Sequence, residues 1–243
     1  MPIKGNGDTG DSMLWAGLMA AVGNRAAAEG IRKCQSADGR IWRCIDRVNN
    51  QPQNSFSRDM SLGFILYFAK TKDHEMADKW VSYLKANKAL FPASESTDTR
   101  HILTPTIWWL MSYAGMNVPL KWRLTRFLLK PYNNIEMRLS PAGFQTHLKA
   151  VSALILAISS GKRDKAVGKY LLSREPQNAF FAWLAGEDDK ATAINNTLRA
   201  MHSASPGDGS QWCWERTDSE DAWRDSMGWD FEFIDQLATM NMK

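Results

Sequence analysis

The chain has 243 residues, 44% of them hydrophobic and 23% charged, and a net charge of only +4. That composition builds a globular core, and basic residues scattered this thinly exclude the dense patch that nucleic acid requires. No run of about 18 uncharged apolar residues occurs, so no membrane span is predicted, and the opening "MPIKGNGDTGD" lacks the apolar stretch of a secretory signal.

Taken in chain order, the strongest signals are six apolar segments. They are "DSMLWAGLMAAVG", "RDMSLGFILYFAKT", "TRHILTPTIWWLMSYAG", "AGFQTHLKAVSALILAISSG", "NAFFAWLAG" and "RDSMGWDFEFIDQLA". The first five run into short polar turns, "GNR", "TKD", "GMN", "GKRD" and "GEDD", where glycine or asparagine suits a helix C-cap. A second kind of helix follows these turns. Met76, Trp80, Val81 and Leu84 recur at helical spacing, as do Ala191, Ile194, Leu198 and Met201, and Val167, Tyr170 and Leu171 form a shorter stripe. Period-two runs are almost absent, so strands are few.

A helix that is apolar all round must be buried on all sides, and a helix with one apolar stripe can cover it. Six of the first kind alternating with the second predict an inner ring inside an outer one. A sixth outer helix is not expected within the sequence, which has only a few residues after the sixth apolar segment.

The chain also repeats itself. With Asp38 laid on Asp208, "DGRIWRCIDR" falls on "DGSQWCWER", and Arg58-Asp59 then falls on Arg224-Asp225. Both copies follow an apolar helix, a tight turn and an amphipathic helix.

This pattern resembles the six-hairpin glycosidase superfamily, the toroid of many glycoside hydrolases and polysaccharide lyases. The resemblance covers nearly the whole chain through its hairpin count. It implies a single all-α domain over residues 1–243, an (α/α)6-type toroid of helical hairpins that is small and has trimmed loops or an incomplete ring. The phrases "GDSMLWAGL" and "NSFSRDMSLGFILY" also resemble proteins carried by bacteriophages.

In such a ring the inner helices run the same way, so their starts share one face. Those starts carry Asp8 and Asp11; Ser57, Arg58 and Asp59; Asp98, Arg100 and His101; Gln145 and His147; Gln177 and Asn178; and Arg224, Asp225 and Asp230. Asp and Ser there also suit helix capping and the positive end of the helix dipole, but caps do not account for His101, Gln145, His147 and Asn178 together.

Glycoside hydrolysis needs two carboxyl groups across the scissile bond, one as proton donor and one as base or nucleophile. Asp11 and Asp59 are the preferred pair and Asp225 the third catalytic candidate. Asp11 has no adjacent arginine and is assigned as the acid; Arg58 favours ionised Asp59 as the base. Trp42, Trp212 and Trp214 either stack on sugar rings or plug the rim against neighbouring loops. Arg58, Arg100, His101, Gln145, His147, Asn178 and Arg224 complete the expected poly- or oligosaccharide-binding set.

Two other readings compete. A polysaccharide lyase needs a neutralised uronate carboxylate and a base such as histidine, for which Arg100, His101, His147 and Arg224 are candidates. A non-catalytic carbohydrate-binding or assembly protein needs only the ring. No GxGxxG, GxxxxGKS or HExxH occurs, and Cys34, Cys44 and Cys213 lack a regular spacing. Neither a cofactor nor a metal is therefore expected, and the cysteines are predicted to be buried free thiols.

Overall fold

The computed structural model describes residues 10–48, 56–87, 103–124, 139–215, 221–240 and 242. Among these residues the chain forms eleven α-helices and two 3-10 turns, Ile45–Arg47 and Cys213–Glu215. There is no strand among them, only isolated bridges joining Gln35 to Ile41 and Gln211 to Ser226. The all-α class therefore holds. The chain clusters into two compact units, residues 1–2 with 9–133 and residues 3–8 with 134–243.

The first unit contains α1 (Ser12–Ala21), α2 (Arg25–Arg32), α3 (Arg58–Thr71), α4 (His74–Ala86), α5 (Pro105–Ala114) and α6 (Leu120–Leu124). The second contains α7 (Phe144–Ser160), α8 (Lys165–Arg174), α9 (Ala179–Ala185), α10 (Asp188–Ala204) and α11 (Trp229–Ala238).

Two classes of helix alternate as the hydropathy pattern predicts. Every residue of α1 and of α9 is buried, and α3 is buried without a break from Met60 to Ala69. By contrast, α4 buries only Met76, Ala77, Trp80, Val81 and Leu84, and α2 only Ala27 and Ile31. In the first core, Trp80 packs edge-on to Phe64 at 4.8 Å between ring centroids. In the second, Phe233 takes Phe180 at 5.3 Å and Trp212 at 5.5 Å.

The exits of the first five apolar segments share one device. Gly23, Lys72, Gly115, Gly161 and Gly186, one in each of the five predicted turns, all adopt positive φ. That left-handed step ends the helix and reverses the chain. Lys72 is the exception to glycine, with φ of 57°. Its ammonium group donates to the Ala114 carbonyl at 3.1 Å, and so places a cation at the carbonyl end of α5.

Helix contacts turn on glycines that hydropathy does not reveal. The buried stripe of α8 is Gly168, Leu171 and Leu172, not Val167, Tyr170 and Leu171. A Cβ on Gly168 would strike the α9 backbone at Leu184 and Ala185. The α10 stripe is likewise shorter than predicted: Ala191 and Ile194 are buried, but Met201 is 41% exposed.

Alanine normally favours a helix by about 1 kcal/mol over glycine. At position 168 the steric term should dominate, and Gly168→Ala is expected to destabilise the protein by about 1–3 kcal/mol, the usual cost of overpacking. A urea-unfolding midpoint equal to or above that of the parent would contradict this contact.

Candidate functional site

The repeated phrase folds into one local structure twice. The Asp38 carboxylate accepts from the Arg40 N–H at 3.1 Å, and that of Asp208 from the Ser210 N–H at 2.9 Å. Gly39 and Gly209 follow with φ of 90° and 65°, so each Asp-Gly forms an Asx-type turn. Hydrogen bonds from Ser36 and Arg40 hold the Asp38 carboxyl below its ordinary range, although partial burial acts in the opposite direction.

Each turn then delivers a buried tryptophan. Trp42 is 2% exposed, with its indole N–H on the Ser36 hydroxyl at 3.0 Å and the Arg40 guanidinium 3.8 Å above its ring. Trp212 and Trp214 are both 0% exposed. These three side chains offer no open face to a sugar. They take the alternative of plugging loops against the core, and buried Arg40 shares that role with Trp42.

In the second unit, polar side chains at the starts of α7, α9 and α11 are joined in one buried network. Glu175 accepts from the Gly143 N–H at 2.8 Å and from the Thr146 hydroxyl, so it ties down the residue before α7 and a side chain of its first turn from a distant segment. Asn178 caps α9 through the Phe181 N–H, and its amide donates to Glu175 and, at 3.2 Å, to the Trp214 carbonyl. Trp214 in turn donates its indole N–H to the Asp230 backbone carbonyl at 3.0 Å. The Asp230 carboxylate accepts from the Cys213 N–H at 2.7 Å and from the Ser226 hydroxyl at 2.5 Å. Asn178 is therefore a cap and a network member. Gln145 is exposed on the first turn of α7.

His147 lies at 0% exposure beside this network. Its Nε2 stands 3.7 Å from Glu215 Oε1, beyond hydrogen-bond length. Burial lowers its pKa to about 3 against the opposing effect of the Trp214 backbone, so the imidazole is neutral. A fully enclosed histidine is not placed to act as a surface base, contrary to the role a lyase would give it.

The first unit supplies a different arrangement. Gly63 of α3 abuts the Met13 carbonyl and Leu14 of α1, and Gly17 abuts Gly63. Asp59 and Asp11, one turn before these contacts, interact electrostatically. The two inner helices therefore run in the same direction, with their starts together. Asp59 lies inside the first turn of α3, and Asp11 stands at the N-cap position of α1. Ser57 caps α3 through the Met60 N–H at 3.3 Å, and Asp11 makes no side-chain cap hydrogen bond to α1. Asp11 also holds the left-handed conformation, with φ of 60°, which aspartate tolerates better than most residues.

Burial raises the pKa of half-buried Asp59 to about 6, the Asp11 charge adds to the rise, and Arg58 opposes it. The direction of this shift runs against the expectation that Arg58 keeps Asp59 ionised. The physical reason is that the Arg58 side chain is exposed to solvent, so its field is the weakest of the three influences.

Arg224-Asp225 does not reproduce Arg58-Asp59. It lies in the turn 221–225, whereas α11 begins at Trp229. Arg224 pairs with Asp221 at 3.8 Å, and the Asp225 carbonyl accepts from the Gln211 N–H at 3.1 Å. Arg100 and His101, with Asp8 and Asp98, lie outside the described residues.

Sequence reasoning overlooked Glu175, Glu215 and Thr146. Glu215 had a signal, since it opens the acid-Arg pair of the second repeat; Thr146 had none. All three cysteines are free and buried. Burial pushes the Cys34 thiol up to about 12 and Cys213 well above its ordinary value.

Two outcomes follow for this unit. Asn178→Ala removes a cap worth about 1 kcal/mol and leaves buried acceptors unpaired at about 1–3 kcal/mol. It should cost roughly 2–4 kcal/mol in chemical denaturation, clearly more than Asn24→Ala at the cap of the less buried α2. Because the folded pKa of His147 lies below its unfolded value, its contribution is complete above pH 6.5 and is lost as pH falls towards about 3. His147→Gln should flatten the stability curve across that window; an unchanged slope would show that acid sensitivity arises elsewhere.

Comparison with protein-family models, curated proteins and solved structures finds no match to this chain.

Proposed function

We propose that this protein is a carbohydrate-active enzyme on a six-hairpin toroid, and that Asp11 and Asp59 hydrolyse a glycosidic bond in a polysaccharide such as a bacterial surface glycan. One observation carries the proposal. The carboxyl groups of Asp11 and Asp59 lie at the starts of two packed helices and interact electrostatically, neither makes a side-chain cap hydrogen bond to its own helix, and Asp59 keeps its proton to about pH 6. A carboxyl group that holds its proton near neutral pH with a second carboxyl close by is the arrangement that acid/base hydrolysis of a glycosidic bond uses.

Asp59 then delivers its proton to the glycosidic oxygen as the carbon–oxygen bond breaks. Asp11, as the carboxylate this role requires, either accepts a proton from the attacking water or attacks the anomeric carbon itself, and the resulting glycosyl ester is then hydrolysed by a water that Asp59 deprotonates. The resemblance in hairpin pattern and the alternation of buried and amphipathic helices support the sugar substrate over other targets of a carboxylate pair.

The test is incubation with a panel of bacterial surface polysaccharides. New reducing ends mark hydrolysis. Absorbance near roughly 235 nm would instead mark the unsaturated product of base-driven elimination and assign a lyase. Binding without either product would assign a non-catalytic subunit.

Asp59→Asn is expected to lower turnover by at least about 10²-fold, the usual minimum for a lost general acid. The same variant should be more stable than the parent at pH 7. A carboxyl whose folded pKa is raised from 3.8 to about 6 stabilises below 3.8 and loses that contribution as pH rises through 6. An asparagine variant that is fully active, or less stable at pH 7, contradicts the assignment. In the parent, kcat/KM should fall as pH rises through about 6, where free Asp59 loses its proton.

A further inference from the structure

We infer that Gly63 and Gly17 are positioning residues: their backbone-to-backbone contact between α1 and α3 sets the separation of the Asp11 and Asp59 carboxyl groups. The inference rests on the reading of Asp11 and Asp59 as the reacting pair.

The contact sits one turn inside both acids. Gly63 follows Asp59 by four residues, and Leu14 follows Asp11 by three; residues so spaced share a helix face. A Cβ on Gly63 would fall on the Met13 carbonyl and 2.6 Å from the Leu14 Cα. A Cβ on Gly17 would fall on the Gly63 backbone. Those neighbours are main-chain atoms of buried helices and cannot rotate away as a side chain can. The two helices approach this closely only because both side chains are hydrogen. Gly63 and Gly17 touch neither carboxylate in sequence, so any influence they have is exerted through helix spacing.

Coulomb energy falls with distance, so a wedge below the acids must weaken the hold of Asp11 on the Asp59 proton. Widening also carries the pair away from the spacing that glycoside cleavage demands. The electrostatic link can therefore be read without substrate, and catalysis separately.

The experiment is a carbon-13 NMR titration of the Asp59 carboxyl in the full chain without substrate, for the parent, Gly63→Ala, Gly17→Ala, and each of these with Asp11→Asn. The parent should titrate near 6, and Asp11→Asn should lower that midpoint. Each alanine variant should also lower the midpoint, and in that background Asp11→Asn should shift it less than in the parent. A folded alanine variant that titrates as the parent does overturns the inference, as does a parent midpoint that ignores Asp11→Asn. Should Gly63→Ala fail to fold by circular dichroism, Gly17→Ala decides. If neither folds, the Asp11→Asn shift in the parent decides: a fall supports a closely held pair, and an unmoved midpoint overturns it. Where cleavage is observed, the wedge should lower kcat with little change in KM. If the titrations move as stated and no polysaccharide is cleaved, the positioning stands and the hydrolase reading fails. If Asp59→Asn abolishes cleavage and the wedge leaves the titration unmoved, the reverse holds.

Discussion

A helix buried along its whole length cannot leave the N–H groups of its first turn to water. That constraint governs much of this structure. At α3, α5, α9 and α11 protein side chains accept from these N–H groups, so polar side chains are drawn into apolar surroundings at those positions. Ser57, Thr104 and Asn178 do this from the adjacent cap position. At α7 the residue before the helix is Gly143, which has no side chain, and Glu175 reaches in from another segment. At α11 the carboxylate of Asp230 binds the Phe231 N–H and ties in Cys213 and Ser226. Polar clusters at helix starts are thus a structural necessity before they are a functional signal.

The two units meet this necessity differently. In the second, Glu175, Asn178 and Asp230 are occupied with backbone groups, and their burial excludes solvent. In the first, Ser57 satisfies α3, and the Asp11 and Asp59 carboxyl groups interact electrostatically. The repeated Asp-Gly turn and its tryptophan are common to both units; the polarity that follows is not. Glu215 is buried after Trp212, whereas Asp46, its counterpart after Trp42, is exposed. The repeat preserves architecture while the chemistry at corresponding positions diverges.

Hydropathy made the helices legible because continuous and striped burial leave different sequence patterns. The five turns were legible because a left-handed step favours glycine. The contacts between helices were not. Gly17, Gly63 and Gly168 have no side chain to register in an apolar pattern, yet their backbones make the closest approaches. The candidate pair Asp11 and Asp59 was visible as two acids at helix starts, but the raised pKa of Asp59 was not, since adjacency of Arg58 in sequence says nothing of its exposure. Asp225 misled for a related reason: the phrase Arg-Asp is repeated, but Gly228 delays the start of α11 beyond it. The loop tryptophans were ambiguous because an aromatic ring serves burial and stacking equally well.

The three buried thiols carry a consequence for kinetics. A thiolate, not a thiol, attacks electrophilic reagents, and burial holds Cys34 and Cys213 strongly towards the thiol. Alkylation must therefore wait for the surrounding structure to open. Cys34 and Cys44 belong to the first unit and Cys213 to the second. The chain contains no other cysteine. Labelling rates at these sites are consequently set by the opening free energies of their own surroundings, and the protein carries an internal clock for the breathing of each unit without any label being engineered into it.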